Sequence, residues 1–477
     1  MDLNDKRVLV LGLGETGLSM ARWLARERAD VRVADTRTSP PGLENLRRVL
    51  PSVPVHCGNF DDELFAGMDL VAISPGVPLA DQSVRRAAER GVPIIGDIEL
   101  FAQGLLRDRR SGAQAQPKDA VPPVVCITGT NGKSTVTALT GAMCAAAGLD
   151  CEVAGNISPA ALDALRRRRE AGREPQAWIL ELSSFQLETT ESLDAAAAAM
   201  LNLSEDHLDR YASLREYAAA KARVFRGSGV QVLNRDDPWS MSMALSGRRT
   251  ITFGLGAATS EQDFGLINRG GALWLAQGKK ALFAVAEMKL AGLHNAANAL
   301  AALALCHAIG LPVEPLLRAL AEFGGLPHRV EPVGTSGGVR YYDDSKGTNV
   351  GSTVAALAGL SGALREPGAK LVLIAGGEGK AQDFSPLAPA VAQAARAVVL
   401  IGRDAPLIEG ALAAAGVPLR RAATMEEAVA AAAAVARPGD AVLLSPACAS
   451  FDMFRNYGHR GEVFRDAVQR LIDATAH

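Results

Sequence analysis

Twice in this chain an apolar run leads directly into a glycine-rich loop and then into a helical stretch. No other feature narrows the possible folds as much. A loop of this kind sits at the end of a parallel strand and turns its backbone N–H groups, with the helix N-terminus, toward an anion. In the first instance Arg7 to Leu13 reads as a strand, Gly17 to Arg28 as a helix and Val31 to Asp35 as the next strand. The loop between them, Gly12-Leu13-Gly14-Glu15-Thr16-Gly17, fits G-x-G-x-x-G, with Asp35 placed to accept hydrogen bonds from a nucleotide. A plain tight βα turn would look the same, and the motif does not say which nucleotide binds.

The second instance is Thr128-Gly129-Thr130-Asn131-Gly132-Lys133-Ser134-Thr135, after a strand over Val124 to Thr128. It ends G-K-S like a Walker A loop but has Ile127 where that pattern starts with glycine. The physics survives the change. Loop N–H groups face phosphate oxygens, Lys133 adds a mobile charge, and Ser134 can ligate Mg²⁺. A lysine this close to a helix N-terminus is electrostatically awkward without an anion beside it.

The rest of the chain repeats the alternation, which implies a doubly wound α/β architecture with parallel sheets. Asp69 to Ser74, Trp178 to Leu182, Ala196 to Leu201, Val339 to Asp343, Leu371 to Ala375, Ala397 to Ile401 and Ala441 to Leu444 are strand candidates. Ala297 to Ile309 and the Ala-rich stretch 428–436 are helix candidates. A length of 477 residues suits about three domains. Polar, proline-bearing residues 108–123 make the best linker, and Gly324-Gly325-Leu326-Pro327 marks a second boundary. The expected division is a Rossmann-like domain over 1–107, a P-loop-type α/β domain over 124–326 and a Rossmann-like α/β domain over 327–477.

Composition removes several classes. Lys plus Arg total 50 against 52 Asp plus Glu, a balance that disfavours a general nucleic-acid binder. None of the six cysteines forms a C-x-x-C pair, so reduced, buried thiols are expected in preference to disulfides or zinc. The N-terminal apolar run is short and enters a Gly turn, which reads as a strand and not a signal peptide, and no run is long enough to span a membrane.

With these motifs in place the chain resembles the Mur ligase family. The matches run in order along most of its length: the Lys133 loop, Gly155-Asn156-Ile157, Glu181 to Glu188 (ELSSFQLE), Asp206 to Tyr211 (DHLDRY), Lys221, His294 to Asn298 (HNAAN) and His328-Arg329. Gly12 to Ser19, Asp35-Thr36-Arg37, Asp344 to Asn349 (DSKGTN) and Ser445 to Asp452 (SPACASFD) point to the branch that adds D-glutamate. The resemblance implies a monomeric bacterial cytoplasmic enzyme of peptidoglycan precursor synthesis. It would use ATP and Mg²⁺ to join D-glutamate to UDP-N-acetylmuramoyl-L-alanine through an acyl phosphate.

The resemblance also implies roles. Asp35 and Arg37 hold the uracil end, Glu15 and Thr16 lie near the diphosphate, and Ser74, Pro75 and Gly76 line the same site. Asn156 and His207 meet the muramoyl-alanine part. Gly129 to Thr135, Asn298, Arg329 and Asp344 form the ATP site. Ser134, Glu181 and His207 ligate magnesium, and Lys221, as a carbamate, serves a second ion. Lys346, Thr348, Lys380, Ser450 and Phe451 receive D-glutamate. The chain departs from the family pattern at Ser158 and Ala381, where glycine is common, and at Tyr457, where Phe is expected; Glu378 precedes Gly379-Lys380.

Residues alone leave rivals open. Another amino-acid-adding or folate-glutamylating ligase shares most of the motifs. A nicotinamide-dependent dehydrogenase explains the first loop but not Lys133, and a nucleotide-gated binding protein explains both loops without chemistry. His56, His328 and His459 receive no role.

Overall fold

The computed structural model describes residues 1–111, 122–290, 292–362, 364 and 366–475; most of the expected linker, residues 112–121, lies outside that set. Three sheets follow one another along the chain, giving the expected three-part α/β architecture. In the first, Arg7–Leu11 lies at the centre, parallel to Asp30–Asp35 on one side and Leu70–Ile73 on the other, with Val55–Cys57 and Ile94–Ile95 at the edges. The strand order reverses at Arg7–Leu11, so the loops after it and after Leu70–Ile73 open one crevice, the place where such sheets bind ligands. Helix Asp97–Ser111 follows and carries the chain past the point where the sequence suggests the linker begins.

The second sheet has nine strands. Val124–Thr128 is central, between Ala177–Glu181 and Ala197–Met200, and Cys151–Gly155, Val230–Asn234, Thr250–Phe253 and Phe264–Arg269 continue the parallel part. Two antiparallel strands, Ala272–Gln277 and Lys280–Ala284, complete it. They turn at Gly270-Gly271 and Gly278, all at positive φ. Sequence reasoning missed this hairpin pair, although a Gly-Gly dipeptide is a strong turn signal. The third sheet repeats the device: Glu331–Ser336 folds back through Gly337-Gly338 onto Val339–Asp343. The parallel strands Ala441–Leu444, Leu371–Gly376, Ala395–Ile401 and Leu419–Arg421 follow in that order.

The central parallel strands Val124–Thr128, Leu371–Gly376 and Ala441–Leu444 are buried throughout, which makes near-continuous hydrophobic runs the right pattern for them. One core cluster is common to the first two parts. It joins Trp23 and Phe101 of the first to Leu165 and Trp178 of the second, with the Phe101 and Trp178 rings edge-to-face at 5.0 Å.

Candidate functional site

The loop after Val124–Thr128 is shaped by two glycines. Gly129 and Gly132 both have positive φ (156° and 82°), and a Cβ on Gly132 would stand 2.5 Å from Asn298 Oδ1. Helix Lys133–Ala146 starts directly after Gly132 with no side chain capping it, so its first N–H groups face the cleft. Asn202, which follows the strand Ala197–Met200, splints the loop. Its side chain accepts from Asn131 N–H at 2.8 Å and donates to Asn131 O at 3.1 Å. Nothing in the sequence beyond an Asn at a strand end marked it.

Two lysines converge on this loop. Lys133 Nζ donates to Gly129 O and Thr130 O at 3.0 and 2.8 Å. Lys221 Nζ, from helix Leu214–Ala222, donates to the same Gly129 O at 2.7 Å and lies 4.7 Å from the Tyr217 ring centre. Burial lowers the pKa of both; for Lys221 the fall is large, and the Lys133 charge adds to it. Burial thus favours the neutral form of the Lys221 amine, the form that adds CO₂.

Glu181 ends the neighbouring strand and is almost fully buried. Its Oε1 accepts from Asn156 Nδ2 at 2.7 Å, while Oε2 has no hydrogen-bond partner among the described residues. His207 stands at positive φ (57°) with its ring edge-to-face on Phe185, and burial pushes its pKa down to about 4, leaving a neutral imidazole. Glu181, His207 and Ser134 line one cleft. These are donors of the type a divalent cation takes, so the residues fit a magnesium site.

That cleft, about 500 Å³, lies between the second and third sheets. It brings together Thr130 to Thr135, Asn298, Arg329, Asp344, Lys346, Thr348 and Lys380. Arg329 Nη2 donates to Ser134 Oγ at 2.8 Å. Burial raises the Asp344 carboxyl to about 7 and lowers Lys346 to about 8, the latter aided by the Arg329 charge. Lys346 Nζ sits 3.8 Å from the centre of the Tyr457 ring, a cation–π contact that a Phe would also make. Lys380 pairs with Asp206 at 3.6 Å. Lys380 and the following Ala381 both have positive φ (52° and 57°), so an alanine here is strained where a glycine would not be.

Ser450 and Phe451 do not line this cleft. Ser450 is buried, its carbonyl accepting from Met453 and Phe454, and Phe451 is 71% exposed. Arg460, missed in the sequence, holds their loop. Its fully buried guanidinium donates to Ser345 Oγ and O and to the carbonyls of Cys448 and Ala449, at 2.8 to 3.3 Å.

A second cleft of about 200 Å³ is lined by Glu15, Thr16, Ser74, Pro75, Gly76, Asn156, Ser158 and Gln186. Ser158 Oγ donates to Glu15 Oε1 at 3.0 Å, tying the first part to the second across it. Asn156 borders both clefts. Asp35 and Arg37 stand outside the second cleft's lining. Asp35 is buried and both its oxygens are occupied, by Leu13 N–H at 2.6 Å and by Arg37. Burial would raise its pKa, but these donors outweigh it and the carboxyl is held low. In this structure Asp35 orients the loop and Arg37 instead of offering a free acceptor. The unassigned histidines have local partners: His56 with Asn59 O, His328 with Asp343 at 2.6 Å, and His459 with Arg455 N–H.

Comparison with known proteins gives consistent matches. Residues 6–96 match the Mur ligase MurD-like N-terminal domain, 127–306 the Mur ligase middle domain and 328–448 the Mur ligase glutamate ligase domain. The chain is 57% identical to the UDP-N-acetylmuramoylalanine--D-glutamate ligase of Nitrosospira multiformis, over all of this chain and 98% of that protein. It is 53% identical to the protein of the same name from Chromobacterium violaceum, over the full length of both. Its fold is similar to that of UDP-N-acetylmuramate-alanine ligase from Thermotoga maritima, with a TM-score of 0.62 at 19% identity, covering 98% of this chain and 99% of that one.

Proposed function

The chain belongs to the Mur ligase family, and from that premise we propose that it joins D-glutamate to UDP-N-acetylmuramoyl-L-alanine in peptidoglycan precursor synthesis, with ATP consumed to ADP and phosphate. One observation carries the reading: the large cleft with its lysine-bearing phosphate loop and the small cleft of the first domain meet at Asn156. That contact is where a nucleotide-sugar's terminal carboxylate could reach a triphosphate.

A carboxylate is a poor acyl donor because its leaving group is oxide. Transfer of the γ-phosphoryl group to a carboxylate oxygen, with ADP departing, makes an acyl phosphate. The amine of D-glutamate then attacks the carbonyl carbon, loses a proton and expels phosphate. Positioning and charge neutralisation dominate the first step. The loop N–H groups and Lys133 hold the phosphates, and Arg329, bonded to Ser134, approaches from the third domain. Ser134, Glu181 and His207 would hold magnesium, with Lys221 as a carbamate serving a second ion; the metal supplies neutralising charge to the phosphates. Lys346 and Lys380 offer two cations to an acceptor with two carboxylates, and Thr348 lies beside them. Asn156, which borders both clefts, and neutral His207, which lines the large one, would meet the muramoyl-alanine end. Arg37, Glu15 and Thr16 belong to the uridine-diphosphate end. In this reading the enzyme acts in the cytoplasm, as a monomer. Among the described residues no helix is long and apolar enough to cross a membrane.

The test is a substrate matrix: protein, ATP, Mg²⁺, the UDP-sugar alanine compound and one amino acid at a time, reading phosphate release. Release that depends on D-glutamate is expected; preference for another acceptor, or release indifferent to it, overturns the reading. Lys133→Ala is expected to lower kcat by at least about 10²–10³-fold, the scale of losing one transition-state donor. Lys221→Ala is expected to lose turnover and to regain part of it with added short carboxylic acids, and full activity without them removes the carbamate.

A further inference from the structure

Asn349 stands where helix Val350–Ser361 begins, and its side chain does two things at once. Its Oδ1 accepts from Ser352 N–H at 2.9 Å, capping the helix. A backbone N–H can only donate, so this bond fixes which end of the amide is oxygen. The nitrogen end therefore points out of the third domain. It donates to Asn131 Oδ1 at 3.0 Å and to Asp206 Oδ2 at 3.3 Å, both in the second domain. Asn131 belongs to the phosphate loop, whose backbone is splinted by Asn202, and Asp206 also pairs with Lys380 and precedes His207.

The packing around this contact is close. A Cβ on Gly351 would lie 2.9 Å from Ser204 Oγ and 3.2 Å from Asn131 Nδ2, so the first turn of the helix rests directly on the loop edge. Asn349 is itself 4% exposed, which removes water as a competing partner for its amide.

We propose that Asn349 is a positioning residue for the ligation. Through Asn131 and Asp206 it fixes the acceptor-binding domain against the nucleotide loop, so that Lys346 and Lys380 face the phosphates. This rests on the functional reading above, in which the third domain carries the amino acid and the loop carries ATP. It assigns Asn349 a task that its place in the DSKGTN run did not reveal. The same side chain that starts the helix bearing the third domain's weight also reaches into the loop, so the domain's placement follows the loop's.

Capping and bridging separate cleanly by substitution. Asn, Asp and Ser are nearly equivalent N-caps. Asn349→Ser keeps the cap but is too short to reach Asn131. Asn349→Asp keeps the cap and sets a carboxylate against Asp206. Both variants are expected to melt like the parent. Both are expected to lower kcat by about 10–10²-fold and to raise KM for D-glutamate, because small misplacements of reacting groups are costly. KM for the UDP-sugar substrate, bound in the other cleft, is expected to stay put. Small-angle scattering with a non-hydrolysable ATP analogue is expected to show a larger radius of gyration for both variants than for the parent. Kinetics and dimensions identical to the parent overturn the proposal, as does a kinetic loss matched by a lower melting temperature in both capping variants. The scattering comparison needs no turnover. If the parent showed no D-glutamate-dependent phosphate release, the functional reading would fail while the scattering still decided the bridge.

Discussion

The two domain junctions of this molecule are built differently. Between the first and second domains runs a continuous core: a Cβ on Gly104 would stand 3.0 Å from both Leu165 Cδ2 and Trp23 Cζ2, and Phe101 packs on Trp178. Buried polar groups stitch its rim. Glu99 accepts from Glu191 N–H, Ser192 N–H and Ser192 Oγ at 2.7 to 2.9 Å, and Asp97 accepts from Gln186 at 2.9 Å. Arg210, stacked on Phe185, donates to the carbonyls of Pro75, Gly76 and Val77. Between the second and third domains, by contrast, no hydrophobic cluster among the described residues is common to both. The side-chain bonds that join them are Asn349 with Asn131 and Asp206, Lys380 with Asp206 and Arg329 with Ser134, beside a close approach of Gly359 to Gly292 and His294. Apolar surface resists opening at roughly 25 cal/mol per Å², whereas a hydrogen bond exchanged with water is worth about 1 kcal/mol net. The first pair of domains therefore behaves as one body that builds the small cleft, and the third can part from it at modest cost.

Matched substitutions test that contrast most strongly. A Cβ on Gly96 would stand 2.2 Å from Thr189 Oγ1 in the sewn junction, and Gly351 is its counterpart in the polar one. Gly96→Val is expected to destabilise by about 1–3 kcal/mol or more, as overpacked cores do, read as a lower urea midpoint. Gly351→Ala is expected to leave the midpoint nearly unchanged and to lower turnover. Equal stability losses at both would erase the distinction. Next in size, Glu99→Ala strands four donors, the three above and Gln103 Nε2, and is expected to cost about 1–3 kcal/mol in unfolding experiments. The Glu99 carboxyl is held low because the Ser192 and Glu191 donors outweigh its burial. A lowered acid pKa means that its stabilisation is present above the unfolded value of 4.5 and fades as pH falls below it. Stability of the Glu99→Ala protein should thus converge on the parent's in acid. The smallest effect concerns the polar junction alone. Lys346, at about 8, loses its proton above that pH, and with it a cation for the acceptor's carboxylate. The kcat/KM for D-glutamate is expected to fall by up to about tenfold per pH unit there, since that ratio reports free-enzyme groups. Lys346→Arg should flatten the fall, while kcat/KM for the UDP-sugar substrate stays level across the same range.

The phosphate loop was legible because everything it needs is local: an apolar strand, two glycines, a lysine and a helix within a dozen residues. The strands at Val124–Thr128, Val339–Asp343 and Ala441–Leu444 read out to the residue for the same reason. The antiparallel strands Ala272–Gln277, Lys280–Ala284 and Glu331–Ser336 did not, because mixed-polarity edge strands lack a continuous apolar run. Asn202 and Asn349 were equally opaque. An asparagine in a loop is ordinary, and only a tertiary partner distinguishes a splint from a surface residue. Asp35 shows the converse. Its position was evident, but its engagement by Leu13 and Arg37 depends on how the first loop closes.

Asn156, shared by the two clefts, has a consequence for waste. Its amide donates to buried Glu181, so the side chain that borders both clefts is firmly held. On the mechanism proposed above, a mixed anhydride formed beside it would meet the attacking amine where it forms. It has no corridor to travel and little time to hydrolyse, so each nucleotide spent should yield close to one new peptide bond.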